Sequence, residues 1–304
     1  MNRDFDIAVV GGGIAGLTAA VRAAESGASV VCFDDGAIPG GLVANVGRLD
    51  DFPSAAAIAG ATVADQLLKR ARALDVNFVT ATVTRLDDAG QGLRISAGAD
   101  SYAIRAAIVA SGGRLRRLEI PGEAELTGRG VSQCDWCDGG LYRGKQVAVV
   151  GGGNAAVQAA LHLAEFCESA ALIVRGASLR ARRDYVLQAA DNPKIRFFWE
   201  TVVDRIIGDN GVEGLALRSV PDASTATEAF SAVFVFVGLE PNLGFLPATL
   251  KRDSAGYAIT DVQFRSSVRG VFVVGAARSG NEGSLLAAMG EARTASALAV
   301  AQLD

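Results

Sequence analysis

Apolar positions along this chain fall into two rhythms. Short unbroken runs such as IAVV (7–10), AAIV (106–109), VAVV (147–150), ALIV (171–174) and VFVV (271–274) sit close to glycines or charged residues. Runs this short and rich in valine and isoleucine read as strands buried on both faces. Alanine-rich stretches with apolar residues at helical spacing lie between them: after Gly16, at about 57–74, after Gly153, and at about 284–302. Further strands are expected near 77–86, 92–97, 101–110, 232–242 and 256–261, with a meander over 194–199, 202–207 and 212–219. Strand and helix alternate, which predicts an α/β chain.

The first strand runs into Gly11-x-Gly13-x-x-Gly16, then a helix, then a second apolar strand that ends at Asp34. In a dinucleotide-binding turn the first glycine allows the tight bend. The second lets the backbone approach a pyrophosphate, and the third lets helix and strand pack closely. The helix start supplies free N–H groups and a positive dipole end, and Asp34 stands where a carboxylate meets ribose hydroxyls. A long irregular segment follows at 36–53, of the kind that is usually functional or mobile. The strand at 106–113 ends in small residues, Ala110-Ser111-Gly112, which permit close approach of a ligand.

VAVVGGG (147–153) repeats IAVVGGG (7–13), so the βαβ module occurs twice. The second fingerprint is Gly151-x-Gly153-x-x-Ala156, with alanine in third place. Its second strand ends in Arg175 instead of a carboxylate, and Arg180 follows. Arginine at this point suits a nucleotide 2′-phosphate, although a solvated basic surface is the plainer alternative.

Composition narrows the choice of function. The chain has 304 residues, is 50% hydrophobic and 20% charged, and carries a net charge of −4, so a compact protein with no general attraction to nucleic acid or anionic membranes is expected. No apolar run reaches membrane-spanning length. The first strand begins close to the N terminus, so no signal or transit peptide is expected and a cytoplasmic location follows. Four cysteines are too few for a disulfide scaffold. Cys32 and Cys167 lie in apolar surroundings and read as buried residues. Cys134 and Cys137 lie in CDWCDGG, just ahead of the second glycine turn. Zinc would need two more ligands, and the sole histidine, His162, is on a helix. No metal site is expected, and a redox pair is the better reading.

Taken together, GGGIAG (11–16), PGG (39–41), DDFP (50–53), ASGGRLRRLEIPGE (110–123), GRGVSQCDWCDG (128–139), GGGNAA (151–156), FVFVGLEPN (234–242) and GVFVVG (270–275) resemble the low-molecular-weight thioredoxin reductases. The resemblance covers essentially the whole chain. It implies two Rossmann-like three-layer domains. An FAD domain would be built from residues 1–117 and 244–304, with an NAD(P)H-type domain inserted at 118–243. It implies Cys137 against the flavin, Cys134 as the interchange thiol, and Asp138 as the group managing the proton. Implied FAD contacts are Gly11, Gly13, Ile14, Ala15, Gly16, Phe33, Asp34, Asp35, Gly40, Gly41, Leu42, Asn45, Asp51, Thr82, Val83, Ala110, Ser111, Gly112, Gly275, Ala276, Ser284 and Leu285. Implied NADPH or NADH contacts are Gly151, Gly153, Asn154, Ala155, Arg175 and Arg180. A homodimer and a thioredoxin-like protein or small disulfide as partner are also implied.

The chain departs from the family pattern in several places. Val174-Arg175-Gly176 stands where relatives carry His-Arg-Arg, and each lost arginine–phosphate contact would cost roughly 1.5–3 kcal/mol. Leu42 replaces a glutamine and Asp51 an asparagine. Ala276 replaces the aspartate that holds the flavin ribityl chain, and Gly283-Ser284 replaces an Arg-Gln pair. Asp51, if ionised beside the flavin ring, would disfavour the anionic reduced form. These losses leave ferredoxin or oxygen open as alternative electron partners, and a non-enzymatic nucleotide-binding protein as a lesser alternative. Trp136, between the cysteines, either restricts partner docking or packs internally.

Overall fold

A computed structural model describes residues 2–36, 39–49, 52–53, 58–281 and 283–303, with the side chains of residues 2–4 not described. The chain divides into two compact units, one of residues 1–114 and 240–304, the other of 115–239. These crossings lie slightly ahead of the 117/118 and 243/244 boundaries expected above.

The first unit opens with β1 (Asn2–Val10), α1 (Ile14–Glu25) and β2 (Val30–Asp34), then α2 (Gly60–Ala73) and β3 (Asn77–Thr80). The antiparallel strands β4 (Val83–Asp88) and β5 (Leu93–Ala97) lead into β6 (Asp100–Val109). β2, β6 and β3 extend the sheet on either side of β1 by parallel pairing, in the order β3-β2-β1-β6. β6 is long enough to fork. Its first half pairs with β5, and its second half pairs with a strand from the far end of the chain. Alternate residues of β1 feed two cores. Ile7 and Val9 pack with the helix alanines, while Ala8 and Val10 pack with Phe33, Leu86 and Tyr102. Both faces are covered, which is why the strand reads as an unbroken apolar run.

The chain leaves this unit through β7 (Gly113–Leu115). The inserted unit contains β8 (Val131–Ser132), α3 (Asp135–Asp138), β9 (Gln146–Val150), α4 (Asn154–Ala164), β10 (Ser169–Ile173), α5 (Arg183–Asp191) and β11 (Ile195–Phe198). β12 (Thr201–Ile207), β13 (Gly214–Ser219), β14 (Thr225–Ala229) and β15 (Ala232–Val235) complete it. The parallel sheet runs β11-β10-β9-β15-β8, and β12-β13-β14 is a separate antiparallel meander. The expected meander is thus corrected. Its first strand, β11, joins the parallel sheet through β10, and the exposed polar strand β14, TATEA, takes the third place. Alternation on β9 again feeds two cores, Val147 and Val149 on the α4 side, Ala148 and Val150 on the meander side.

The chain returns through β16 (Leu239–Pro241), which pairs with β7. It ends with β17 (Val271–Val273), parallel to β6, and α6 (Leu285–Val300). The expected strand at 256–261 is reduced to isolated bridges from Ala258 to Arg252 and Arg278, because Asp253 Oδ1 accepts from the Ala255 and Tyr257 N–H groups and holds the preceding residues in a turn. None of the described helices is long and apolar enough to cross a membrane.

Candidate functional site

The first glycine turn sits at the carboxyl end of β1, between β2 and β6. This is where a doubly wound sheet leaves a crevice for a ligand. Gly11 has φ +105°, and a Cβ there would lie 2.4 Å from the Ala110 carbonyl oxygen. A Cβ on Gly16 would lie 1.8 Å from the Gly11 oxygen, so α1 reaches its strand only because that residue is glycine. Gly13 is the N-cap of α1 and provides no side-chain cap, and no acid occupies the first turn. A Cβ there would meet nothing closer than Gly41, at 3.9 Å. An uncapped helix start with open space before it fits the pyrophosphate of a dinucleotide. Ala15 lies on this first turn, half-buried.

Asp34 accepts hydrogen bonds from the Gly12 and Gly36 N–H groups, the second at 2.7 Å. A Cβ on Gly12 would lie 2.5 Å from its Oδ2, which gives Gly12 a role the fingerprint does not assign. A carboxylate has further acceptor capacity, so Asp34 remains able to take ribose hydroxyls. Asp35 accepts from Thr82 Oγ1 at 2.9 Å. Gly40 forms a bridge to Gly13 and donates to the Gly12 oxygen at 2.8 Å, which lays the 39–45 segment across the turn. Leu42, 45% exposed, and Asn45 stand in the 3-10 turn Gly41–Asn45. Asp51 lies outside the described residues.

Among the implied FAD contacts, Phe33, Val83 and Ile14 turn their side chains into the core. All three are buried, and Phe33 meets Tyr102 edge-on at 5.0 Å, so only their backbones are available to a ligand. Ala110 is likewise buried. Ser111 and Gly112 are bound to Asn242: Ser111 Oγ donates to its carbonyl at 2.7 Å, and its N–H donates to the Gly112 oxygen at 3.0 Å.

Past β17, a Cβ on Gly275 would lie 3.4 Å from Ala15 and 3.8 Å from Ala288, which places this turn beside the start of α1. Its N–H donates to Glu291 Oε2 at 2.7 Å, and Arg278 Nη2 donates to Glu291 Oε1 at 2.7 Å. Glu291 is 6% exposed. Its carboxylate is therefore committed to holding the turn from behind, while Ala276 presents a methyl where the resemblance expects an acid. Ser284 caps α6 through the Ala287 N–H at 3.4 Å, and Leu285 packs beside Ile14 and Leu17.

In the inserted unit, Cys134 and Cys137 form a disulfide. Cys134 follows the end of β8 and is the N-cap of α3, its Sγ accepting from the Cys137 N–H at 3.1 Å. Ser132 Oγ donates to Asp138 Oδ2 at 2.6 Å and accepts from the Cys134 N–H at 3.0 Å, so one hydroxyl ties the acid to the dithiol. Burial and the charge of Asp138 push the neighbouring Tyr142 phenol up. His162 Nδ1 is 2.8 Å from Asp135 Oδ2, and its ring stacks on Trp136 with centroids 3.7 Å apart. Ser132, Asp135, His162, Glu291 and Asn242 are absent from the sequence-derived set. The local signals were the lone histidine, the acid inside the Cys-x-x-Cys, and Glu291 within an alanine-rich helix, while Ser132 and Asn242 carried none.

The second glycine turn follows β9. Gly151 has φ +144°, Gly153 caps α4 without a side-chain bond, and nothing stands within 4 Å of a Cβ placed on it. Asn154 Oδ1 accepts from the Arg182 N–H at 2.8 Å, and Ala155 is the next residue of α4. The Arg180 N–H donates to the Gly152 oxygen at 2.7 Å, which brings Arg180 beside the turn. Arg175 and Arg180 are both exposed. Among the described residues, no cluster of three or more histidines, cysteines or acids is arranged to hold a metal.

A family model described as pyridine nucleotide-disulphide oxidoreductase matches residues 5–296. Thioredoxin reductase of Treponema pallidum is 33% identical over 100% of this chain and 99% of its own. Among solved structures, Lactococcus lactis thioredoxin reductase has a TM-score of 0.93 at 32% identity, covering 98% of this chain and 99% of its own. Thioredoxin reductase from T. acidophilum has a TM-score of 0.92 at 30% identity, covering 99% of both. By sequence and by fold over its whole length, this chain belongs to the pyridine nucleotide-disulphide oxidoreductase family and is an FAD-dependent disulfide oxidoreductase of the thioredoxin reductase kind.

Proposed function

We propose that this chain carries electrons from a nicotinamide nucleotide, by way of FAD, to the Cys134–Cys137 pair and then to a disulfide of thioredoxin or a thioredoxin-like protein. The closed Cys134–Cys137 disulfide, in the same unit as a second, uncapped glycine turn, carries this reading. FAD, when bound, supplies the two-electron chemistry that connects a hydride donor with a disulfide. Gly11, Gly13, Gly16 and the first N–H groups of α1 would hold its pyrophosphate, and Asp34 its ribose. Gly40–Asn45, Ser111, Gly112 and the Gly275 turn would border the rest. Gly151, Gly153, Asn154 and Ala155 would receive the nicotinamide nucleotide, with Arg175 and Arg180 as its cationic edge.

The reduced pair acts by thiol–disulfide exchange. The Cys134 thiolate attacks one partner sulfur, forms a mixed disulfide, and expels the second partner sulfur as a thiolate, which takes a proton. Asp138, held by Ser132, is the acid positioned to manage that proton. Cys137 then attacks Cys134 Sγ, closing the internal disulfide and releasing the partner as a dithiol. A homodimer and a cytoplasmic setting complete the reading, supported by the resemblance to soluble reductases, and light scattering of the purified protein tests the first.

The deciding experiment is an anaerobic titration of the purified flavoprotein with NADPH, NADH and reduced ferredoxin in turn, followed by thioredoxin. Flavin bleaching by a nicotinamide nucleotide, with thioredoxin reduction lost in Cys134→Ser and Cys137→Ser, is expected. Bleaching by ferredoxin alone would overturn the electron source.

A further inference from the structure

The two residues between the cysteines are both engaged by the chain's sole histidine. Asp135 Oδ2 is 2.8 Å from His162 Nδ1, and these side chains are only 13% and 14% exposed. A carboxylate can only accept, so Nδ1 carries the hydrogen. Trp136 stacks on the imidazole with an interplanar angle of 19°, and Phe166 closes the ring edge-on at 5.2 Å. The other charged groups around this cluster are engaged elsewhere. Asp138 is bound by Ser132, Arg143 lies over Phe166 at 5.3 Å, and Lys194 donates to the Ala164 and Cys167 carbonyls. Glu165 follows α4 directly, its N–H donating to the His162 carbonyl. Among the described residues, Asp135 is the charged group that hydrogen-bonds the imidazole.

An ionised carboxylate next to a nucleophilic cysteine works against its thiolate, because like charges in one site repel. Asp135 is adjacent to Cys134, so this chain has placed such a charge inside its own redox turn. The bond to His162 turns that carboxylate toward α4 and disperses its charge. The contact uses no sulfur atom and so does not depend on the disulfide being closed.

Granting that Cys134–Cys137 is the redox pair, we propose that His162 is a positioning residue for it. By holding Asp135 and Trp136 against α4, it keeps the carboxylate's charge off Cys134 and sustains the thiolate near neutral pH.

The test uses the flavoprotein reduced with dithiothreitol, with iodoacetamide alkylation of Cys134 followed by peptide mass spectrometry across pH. His162→Phe keeps a ring under Trp136 and removes the donor. The pH midpoint of Cys134 alkylation should then rise by about one unit, the size expected of an unscreened like charge a few ångströms away. Asp135→Asn added to His162→Phe should return the midpoint to its original value, which a merely structural role for His162 would not do. An unchanged midpoint in His162→Phe, or a shift that persists in the double variant, would overturn the proposal. Should His162→Phe not fold, Asp135→Asn alone decides: its midpoint should stay within about 0.3 unit of the parent, and a fall of a full unit would mean the carboxylate acts on sulfur despite His162. Turnover of protein disulfides surviving in Cys134→Ser or Cys137→Ser would instead sink the redox assignment itself.

Discussion

A methyl group on Gly16 would have to occupy the space of the Gly11 carbonyl oxygen, 1.8 Å away, and backbone atoms on both sides leave little room to yield. Gly16→Ala should therefore cost about 3 kcal/mol, the upper end for overpacking. Loss of the 450 nm flavin absorbance relative to 280 nm, together with a lower Tm, would register it. The corresponding position in the second turn is Ala156, fully buried, so that turn already accommodates the methyl. Arg175 and Arg180 act at the same scale. If they form the 2′-phosphate edge, replacing both with alanine should raise KM for NADPH at least tenfold, one lost charge-assisted contact, with little change for NADH. Equal effects on the two nucleotides would remove the phosphate assignment. Burial pushes the Cys32 thiol up to about 12 and Cys167 upward as well, so neither should be alkylated at pH 8 in the folded protein while the reduced pair reacts.

At the scale of elements, α6 decides whether the first site is complete. Ala292, Ala295 and Ala299 are fully buried against α1, where Ser296 Oγ donates to the Ala19 carbonyl at 3.0 Å. Small residues on both helices allow this approach, and the same helix delivers Glu291 to the Gly275 turn. Ala295→Leu should separate the helices, at about 1–3 kcal/mol. Glu291→Ala should cost about 3 kcal/mol, because it leaves Arg278 partly buried without its carboxylate and the Gly275 N–H without an acceptor. Urea denaturation followed by flavin and tryptophan fluorescence would measure both. Retention of FAD in Glu291→Ala at wild-type affinity would show that the Gly275 turn does not need support from behind.

For the whole molecule, the insertion makes the first unit depend on both chain ends. β17 pairs with β6, and α6 covers α1, so residues 1–114 alone lack a strand and a helix of their own core. The inserted unit has its parallel sheet, helices and meander within one continuous segment. Residues 115–239 expressed alone should therefore fold cooperatively and keep the Cys134–Cys137 disulfide, whereas residues 1–114 should not. Circular dichroism melts and thiol counts would decide, and a fragment 115–239 without a melting transition would contradict it.

The α/β class, the duplicated βαβ modules, the glycine turns and the redox pair were all legible in the sequence. Each is written locally, as strand runs, helical spacing or a Cys-x-x-Cys at close range. β11 could not be assigned to its sheet from its own residues, because an apolar run records burial on two faces and not which strand lies alongside. Phe33 and Val83 were implied FAD contacts by resemblance, and only the structure showed their side chains in the core, leaving backbone for a ligand. Local pattern encodes how deeply a residue is buried. Contacts between residues distant in the chain depend on how the layers stack, so only the tertiary structure brought Glu291 to Gly275 and His162 to the Cys134–Cys137 turn.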